Sequence, residues 1–319
     1  MSTKIDIDTT KYFSDSICNK IDSMVSIGSG QWGKIYKFDI KKNRFSVKVQ
    51  STRHGGPIDL RNIELEIKIL KHLSRFKERN NMHFFPFYYY DRNCNNNRII
   101  IYENYELSLK DIIKVINVNL FKSIVFQIIF SVFLFHSTTR YEHRDIHVGN
   151  ILVNKTSHDI KYRVYSEYKI PYYGFEITLW DYSNAVPIKK RNAGNTDLNM
   201  IKIMFHKFLK DEIFANFSSE VILEFATKNG LSEYYEAEMV SNGLRWSSVN
   251  NLEKRNEKIK ISTLKSLIYK VIEEPELYNK FMKEHKTFHE KYPIKSSWLN
   301  WVKSLPSTIN ECLELVRLK

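Results

Sequence analysis

Cysteine is scarce in this sequence, and its placement argues against two kinds of small scaffold. The 319 residues include only Cys18, Cys94 and Cys312, which lie far apart and form no Cys-x-x-Cys pair. An odd number of widely spaced cysteines is not the pattern of a disulfide framework or of a structural zinc site. The cysteines therefore predict a reducing compartment.

The chain also has no long, uninterrupted hydrophobic run. Its N-terminus, MSTKIDIDTTKYF, contains acidic residues and no apolar core of the kind found in signal peptides. The most apolar stretch, residues 120–136, is interrupted by Lys122 and Gln127, whereas a membrane-spanning helix needs about 20 mostly apolar residues. We expect this stretch to be a helix buried in the core of a soluble domain, and we expect no membrane association.

Acidic residues are fewer than basic ones, 36 against 49, which gives a net charge of +13. Basic proteins bind nucleic acids, anionic membranes or phosphate-bearing ligands. Here the lysines and arginines are spread along the chain and form no defined patch, so direct nucleic-acid binding is not expected. With 43% hydrophobic residues, the chain can bury the core of one large domain or of two lobes.

Residues 24–105 have the pattern of a small antiparallel sheet with one helix. Three alternating apolar segments between residues 25 and 49 predict strands, with a glycine-rich turn after the first. Residues 59–73 carry apolar side chains at helical spacing, with Asp59 as the predicted cap. The segments HFFPFYYY and RIIIYENY predict two further strands around an Asn-rich turn.

Beyond residue 105 the pattern becomes mainly helical. The segments SLKDIIKVI, 120–136 and 196–210 have helical spacing, and most of the remaining chain reads as helices. The sequence therefore predicts an α+β fold, and a ligand cleft between its β-rich and α-rich parts is the default binding site. Three tryptophans in the helical part are expected to pack in its core: Trp246, Trp298 and Trp301.

Gly28, Gly30 and Gly33 match the pattern Gly-x-Gly-x-x-Gly, which alone is a weak signal. In a dinucleotide-binding fold these glycines would open a helix, but the following residues, KIYKF, alternate as a strand does. A strand–turn–strand hairpin can instead lay its backbone N–H groups over phosphates, because glycine allows a close approach. The motif therefore predicts a phosphate-binding hairpin.

Lys48 is centred in the apolar strand FSVKV, where a buried ammonium requires a partner. The alternative is a lysine at a sheet edge whose side chain reaches water. Two acids on the following helix compete as partners, Glu64 and Glu66. Glu66 is favoured because Ile69 and Leu70 follow it at helical spacing and place it beside the packing face. A Lys48–Glu66 ion pair would hold the lysine toward nucleotide phosphates.

The stretch EHRDIHVGN places polar residues directly before a strand-like run. Asp145 could accept or orient the proton of an attacking hydroxyl, and Asn150, five residues later, could bind a metal ion. Asp181 follows the apolar strand at Ile177–Leu179, and a carboxylate there can hold Mg²⁺ against phosphates.

The two residues that precede Asp145 are expected to have structural roles. We expect His143 to pack and hydrogen-bond, and Arg144 to face either Asp145 or the segment beyond Asp181. Taken separately, HRD could be a surface loop and DYS is a common tripeptide. The motifs nevertheless occur in the order that protein kinases use: the glycine hairpin, the strand lysine, the helical glutamate, HRDxxxxN and the aspartate after a strand.

In detail the chain resembles the haspin family of eukaryotic protein kinases over about residues 24–210. The segments that carry the resemblance are EHRDIHVGNILV and IPYYGFEITLWDYSNA. His147 stands where most serine/threonine kinases have lysine, and Asp181-Tyr182-Ser183 stands where most have Asp-Phe-Gly. As in haspins, the segment from Asn150 to Asp181 is long, at 31 residues, and no Ala-Pro-Glu follows it.

The resemblance implies a bilobal protein-kinase-like fold. A small antiparallel-sheet N-lobe with one main helix would span about residues 24–105, and a larger, mainly helical C-lobe about residues 106–319, after an N-terminal extension at residues 1–23. The implied activity is ATP- and Mg²⁺-dependent phosphorylation of a threonine near the N-terminus of histone H3 in mitosis. The implied location is the nucleus, on chromosomes, with the cytoplasm as the alternative. We expect a monomer.

The resemblance also implies roles for individual residues. The catalytic set is Asp145, Lys48, Glu66 and His147, and the metal ligands are Asn150 and Asp181. The nucleotide-binding set is Ile27, Gly28, Ser29, Gly30, Gly33, Ile35, Lys48, Glu103, Tyr105, Asn150 and Asp181. Backbone groups at 103–107 would hold adenine, and Asp197 would anchor the catalytic-loop backbone. His147 would either reach the γ-phosphate or only shape the loop.

Two other functions remain open on the sequence. A kinase-fold phosphotransferase could act on other proteins or on a small molecule, although small-molecule kinases of this fold usually lack the arginine that is present here as Arg144. A nucleotide-binding pseudokinase would serve as a scaffold. That reading expects damage at the lysine, the base or the metal ligands, and the sequence has none.

Overall fold

The computed structural model describes residues 5, 13, 16–30, 33–52, 57–113, 117–156, 161–188, 195–214, 219–231, 261–284 and 293–318. The chain forms two compact units, one of Met1–Met204 with Pro306–Lys319 and one of Phe205–Leu305. The first unit is α+β with antiparallel sheets, and the described elements that lie wholly in the second are helices. The predicted α+β class is therefore correct.

A five-stranded antiparallel sheet contains the strands predicted for residues 24–105. The strands are β1 (Val25–Gly30), β2 (Gly33–Ile40), β3 (Asn43–Ser51), β4 (Tyr88–Cys94) and β5 (Asn97–Glu103). Their order in the sheet is β1-β2-β3-β5-β4, and a long helix, α2 (Pro57–Asn80), connects β3 to β4.

Two details of this region differ from the sequence prediction. Helix α2 starts at Pro57, so Asp59 lies inside its first turn and the predicted cap is wrong. Proline suits that first turn because its missing N–H would have no intrahelical partner. The strand predicted at HFFPFYYY begins only at Tyr88, since Pro86 cannot donate a ladder hydrogen bond.

Part of the predicted N-terminal extension packs into the core of the sheet. A short helix, α1 (Ser16–Lys20), leads into a 3-10 turn, and Phe13, Ile17 and Ile21 join the buried cluster of the sheet. Cys18 and Cys94 form a disulfide with a Cα–Cα distance of 5.3 Å. The sequence argued against a disulfide framework and for a reducing compartment, and this disulfide contradicts that expectation, because packing brings together two residues that are 76 positions apart.

The rest of the first unit is built around one apolar helix, α4 (Val118–Thr139). The other elements of this region are β6 (Leu107–Ser108), α3 (Leu109–Ile112), β7 (Tyr141–Glu142), β8 (Ile151–Lys155), β9 (Tyr162–Tyr165), β10 (Tyr168–Pro171), β11 (Phe175–Leu179), β12 (Val186–Pro187) and the start of α5 (Asn195–Phe214). The strands form three small antiparallel sheets, with the orders β11-β8-β6, β10-β9 and β12-β7.

Helix α4 is a core helix, as the sequence predicted. It is long and apolar enough to cross a membrane, but 78% of its most apolar window is buried within the protein. Its polar residue Gln127 is fully buried. The Gln127 amide donates to Phe175 O at 3.1 Å and accepts from Ile177 N at 3.2 Å, so it satisfies the backbone edge of β11 that β8 leaves unpaired.

The described elements that lie wholly in the second unit are helices with a small apolar core. In this core the rings of Phe225 and Phe281 pack edge to face at 4.8 Å. Trp298 is buried and Trp301 half-buried, whereas Trp246 lies outside the described residues. The helices are α6 (Ser219–Lys228), α7 (Ile261–Glu273), α8 (Pro275–Glu284) and α9 (Pro293–Ser304), and α10 (Ile309–Glu314) belongs to the first unit.

Candidate active site

The first unit contains a cavity of about 550 Å³, and most of the predicted site residues line it. Its walls come from the β1–β2 hairpin, β3, the segment after β5, the loop between β7 and β8, and the segment after β11. Elements that are far apart in sequence therefore contribute to one space. The predicted residues that line it are Ile27, Gly28, Gly33, Ile35, Lys48, Tyr105, Asp145, His147, Asn150 and Asp181.

Two glycines of the β1–β2 hairpin line the cavity, and packing requires glycine at only one of these positions. A Cβ at Gly33 would come within 2.4 Å of Val49 O, so close packing against β3 requires glycine there. A Cβ at Gly28 would meet nothing within 4 Å, so packing does not require glycine at this position. Ser29 and Gly30 end β1 and pair in register with Lys34 and Gly33.

Lys48 reaches the cavity because β3 alternates between its two faces. Val47 and Val49 pack in the core of the sheet, and Lys48 points to the other side. The ammonium Nζ lies 2.7 Å from Glu66 Oε1 and 2.9 Å from Asp181 Oδ1. The predicted Lys48–Glu66 pair is therefore present, and the competing Glu64 is an exposed residue.

The Lys48 ammonium donates hydrogen bonds to two carboxylates, those of Glu66 and Asp181. Burial lowers the pKa of Lys48, but Glu66 and Asp181 outweigh burial and hold this pKa above its usual value. Burial raises the pKa of Glu66, whose side chain is fully enclosed behind Lys48. Burial also acts to raise the pKa of Asp181, but Lys48 and Ser183 keep it below the ordinary range. Asp181 is therefore the carboxylate that stays ionised toward the cavity.

Asp145 is held by two side-chain amides. Asn150 Nδ2 donates to Asp145 O at 3.0 Å and to Asp145 Oδ2 at 3.2 Å. Asn184 Nδ2 donates to the same Oδ2 at 3.2 Å. His147 is exposed, accepts from Gly149 N at 3.0 Å, and has Nε2 3.8 Å from Asp145 Oδ1. Asn184 was not predicted as a site residue, although a polar residue three positions after Asp181 is a feature that could have indicated one.

The loop that carries Asp145 is anchored from below by Asp197, as predicted. The buried carboxylate of Asp197 accepts from His143 N at 2.7 Å and from Arg144 N at 2.8 Å, and it lies 2.7 Å from His136 Nε2. Burial acts to raise the pKa of Asp197, but these partners outweigh burial and lower it. Arg144 has a left-handed backbone conformation, with φ at 66°, and the hydrogen bond from its N–H to Asp197 helps to hold it there.

His143 and Arg144 themselves have structural contacts. His143 is buried and pairs with Trp180 O at 3.0 Å, as the sequence predicted. The Arg144 guanidinium binds Glu142 at 3.1 Å and Thr196 at 3.3 Å. The Thr196 contact agrees with the predicted orientation toward the segment beyond Asp181, whereas the shorter contact with Glu142 was not predicted.

Aromatic packing fixes the segment at Asp181, a feature that the sequence did not predict. The Tyr182 ring stacks on Phe135 at 5.3 Å, and its hydroxyl donates to Leu179 O at 2.6 Å. Ser183 Oγ donates to Asp181 Oδ1 at 2.8 Å. Asp181 itself has a φ of 64°, a left-handed conformation that aspartate tolerates better than most residues. Lys48 and Ser183 thus hold the Asp181 carboxylate through one oxygen, Oδ1.

Glu103 has a different position from the one expected of a nucleotide contact. It does not line the cavity. Its carboxylate accepts from Phe87 N at 3.1 Å and from the Tyr105 hydroxyl at 2.9 Å, and it pairs with the buried Lys77 at 2.5 Å. The following residues, Tyr105 to Ser108, do line the cavity. The segment that was predicted to hold adenine, residues 103–107, here called the hinge, therefore reaches the cavity only from Tyr105 onward.

The donor atoms at Asn150 and Asp181 suit a small hard cation. The Asn150 amide nitrogen is bonded to Asp145, which leaves Oδ1 as its ligand atom. Asp181 Oδ1 is bonded to Lys48 and Ser183, which leaves Oδ2. Mg²⁺ binds through one or two such oxygens, with phosphate and water as further ligands. Among the described residues no group of three or more His, Cys, Asp or Glu side chains is placed to hold a metal.

No protein-family model matches the chain, and no curated protein matches it either.

Proposed function

We propose that this protein is an ATP-dependent serine/threonine protein kinase with a bilobal kinase-like fold. One observation carries the proposal: Lys48, Asp145, Asn150 and Asp181 line the same cavity although up to 133 positions separate them. Glu66 supports Lys48 from behind. Each residue has the side-chain chemistry that phosphoryl transfer needs, in the chain order that kinases use.

The residues of the chain divide the work of the reaction. Lys48 holds the α- and β-phosphates, and Glu66 keeps its ammonium in place. Asp145 orients the acceptor hydroxyl and receives its proton. It lies in the cavity wall, and because hydrogen bonds occupy only one of its carboxylate oxygens, the other oxygen can accept the proton. Mg²⁺, held by Asn150 and Asp181, would neutralise phosphate charge. Catalysis then rests on alignment and electrostatics.

The proposed substrate follows from the haspin resemblance. The DYS tripeptide, His147 and the long segment between Asn150 and Asp181 support a haspin-type kinase, and the β9–β10 hairpin occupies part of that segment. We therefore propose a threonine near the N-terminus of histone H3 as the acceptor, phosphorylated in mitosis by a monomeric enzyme in the nucleus.

The test is transfer of radiolabelled phosphate from ATP in the presence of Mg²⁺. The acceptors are a histone H3 tail peptide, the same peptide with its threonine changed to alanine, and a generic basic protein. We expect the wild-type chain to label only the first. Asp145→Asn and Lys48→Ala should each lower turnover by about 100-fold or more, with circular dichroism spectra unchanged, while Lys68→Ala, at an exposed position of α2, should stay active.

Each other outcome selects a different function. Near-full activity of Asp145→Asn contradicts its role as the base. Equal labelling of all three acceptors favours a broader phosphotransferase. Binding of ATP without transfer to any acceptor favours a pseudokinase scaffold.

A further inference from the structure

Two successive residues after Asp181 donate hydrogen bonds to the two aspartates of the cavity, Asp181 and Asp145. Ser183 Oγ donates to Asp181 Oδ1 at 2.8 Å, and Asn184 Nδ2 donates to Asp145 Oδ2 at 3.2 Å. The segment after β11 therefore positions its own aspartate and also the aspartate of the preceding loop.

The position of Asn184 is set by a buried anchor. Tyr182 is completely buried, stacks on Phe135 and donates its hydroxyl to Leu179 O. Ala185 N donates to Tyr182 O at 3.1 Å, which closes a turn with Asn184 at its third position. A turn fixed in this way delivers the Asn184 amide to Asp145 without relying on solvent-exposed contacts.

The two oxygens of Asp145 have different surroundings. Oδ2 accepts from both Asn150 and Asn184. Oδ1 lies 3.8 Å from His147 Nε2, beyond hydrogen-bond distance. Two donors on one oxygen fix the plane of the carboxylate and occupy that oxygen, so the other oxygen is the one available to an incoming hydroxyl.

We propose that Asn184 is a positioning residue that presents Asp145 Oδ1 to the acceptor hydroxyl; this rests on the proposed kinase function. In the transfer step the hydroxyl oxygen forms a bond to the γ-phosphorus while the bond from that phosphorus to the β–γ bridging oxygen breaks. The hydroxyl proton goes to Asp145 Oδ1, and ADP leaves with the electron pair of the broken bond. Asn184 acts through Asp145 and does not touch the nucleotide in this step.

The experiment compares Asn184→Leu, which has similar size and no donor, with Asn184→Gln, which keeps a donor. Asn199→Leu, at an exposed position of α5, is the matched control. We expect Asn184→Leu to lower kcat by about 10- to 100-fold, as loss of a supporting hydrogen bond around a reactive group does. The dissociation constant of ATP should stay within about twofold of wild type, and Asn184→Gln should recover part of the lost kcat.

The outcomes separate this inference from the proposed function. An inactive wild-type chain contradicts the proposed function and this inference with it. With an active wild type, the inference alone is wrong if Asn184→Leu keeps kcat within about twofold. It is also wrong if the Leu and Gln variants lose equal activity, or if ATP binding weakens as much as kcat falls, because packing alone would then explain the loss.

Discussion

At the scale of single residues, three buried or largely buried carboxylates hold the candidate site together. Glu66 and Asp181 both accept from the Lys48 ammonium of β3, and Asp197 accepts from backbone N–H groups of the loop that carries Asp145. A buried charge is tolerated only where such partners compensate for lost hydration. The same partners that make these residues stable in the interior therefore also fix the geometry of the cavity.

The carboxylate of Asp197 should make stability depend on acid pH. Asp197→Asn keeps the shape of the side chain but replaces one carboxylate oxygen with an NH₂ group. That group faces backbone N–H donors and cannot accept from them, so we expect a loss of about 1–3 kcal/mol of unfolding free energy at pH 7. The folded-state pKa of Asp197 is depressed, so its contribution is complete above the unfolded pKa of about 4 and disappears as pH falls through the lower folded value.

Urea unfolding of wild type and Asp197→Asn at a series of pH values measures this effect. The difference between the two proteins should be largest near neutrality and should shrink below about pH 4. A difference that stays constant down to the acid limit would contradict the role given to the ionised carboxylate.

At the scale of elements, helix α2 carries two buried charges on its packed face. Glu66 pairs with Lys48 of β3, and Lys77, three turns later, pairs with Glu103 at the end of β5. Lys77 also lies over the Phe87 ring at 4.1 Å. Burial lowers the pKa of Lys77 although Glu103 opposes the shift. The helix that supports the site lysine is thus also fixed to the start of the hinge.

Removing one member of the second pair should be costly. Lys77→Met leaves the largely buried Glu103 without its cation, and breaking a buried pair in this way costs about 3–5 kcal/mol. Lys77→Met with Glu103→Gln should cost less than the sum of the single changes, by about 1 kcal/mol or more. Chemical unfolding of the four proteins gives this cycle.

Lys68→Met, an exposed change on the same helix, is the control and should stay within about 0.5 kcal/mol of wild type. Additive effects of the Lys77 and Glu103 changes would show that the pair does not couple the helix to the hinge.

Local patterns predicted the elements, and tertiary packing decided the exceptions. Lys48 and Glu66 could be paired from sequence because a lysine in an apolar strand and a glutamate on a packed helix face both need partners. The Cys18–Cys94 disulfide and the Glu103–Lys77 pair could not, since each depends on how separate elements meet. Asn184 shows the same limit: its residue type was visible, but its contact with Asp145 required the turn after Tyr182.

At the scale of the whole molecule, the chain returns to its first unit after the helices of the second. Residues 306–319 belong with Met1–Met204, and α10 packs against α4. Ile309, Cys312 and Leu313 are buried there. Beyond α10, Lys169 N donates to Val316 O at 2.8 Å and Leu318 N donates to Glu167 O at 2.7 Å, which adds the last residues to the β9–β10 hairpin.

Packing of α10 against α4 should contribute to the free energy of unfolding of the first unit. Leu313→Ala removes a fully buried side chain beside α4 and should cost about 2–5 kcal/mol, whereas Leu315→Ala, at a position that is 58% exposed, should stay within about 0.5 kcal/mol. Hydrogen exchange resolves the effect by region, because local protection follows local stability. Amides of α4 should lose protection in Leu313→Ala and keep it in Leu315→Ala, while α7 and α9 are unchanged in both. Equal protection of α4 in the two variants would mean that α10 covers the helix without stabilising it.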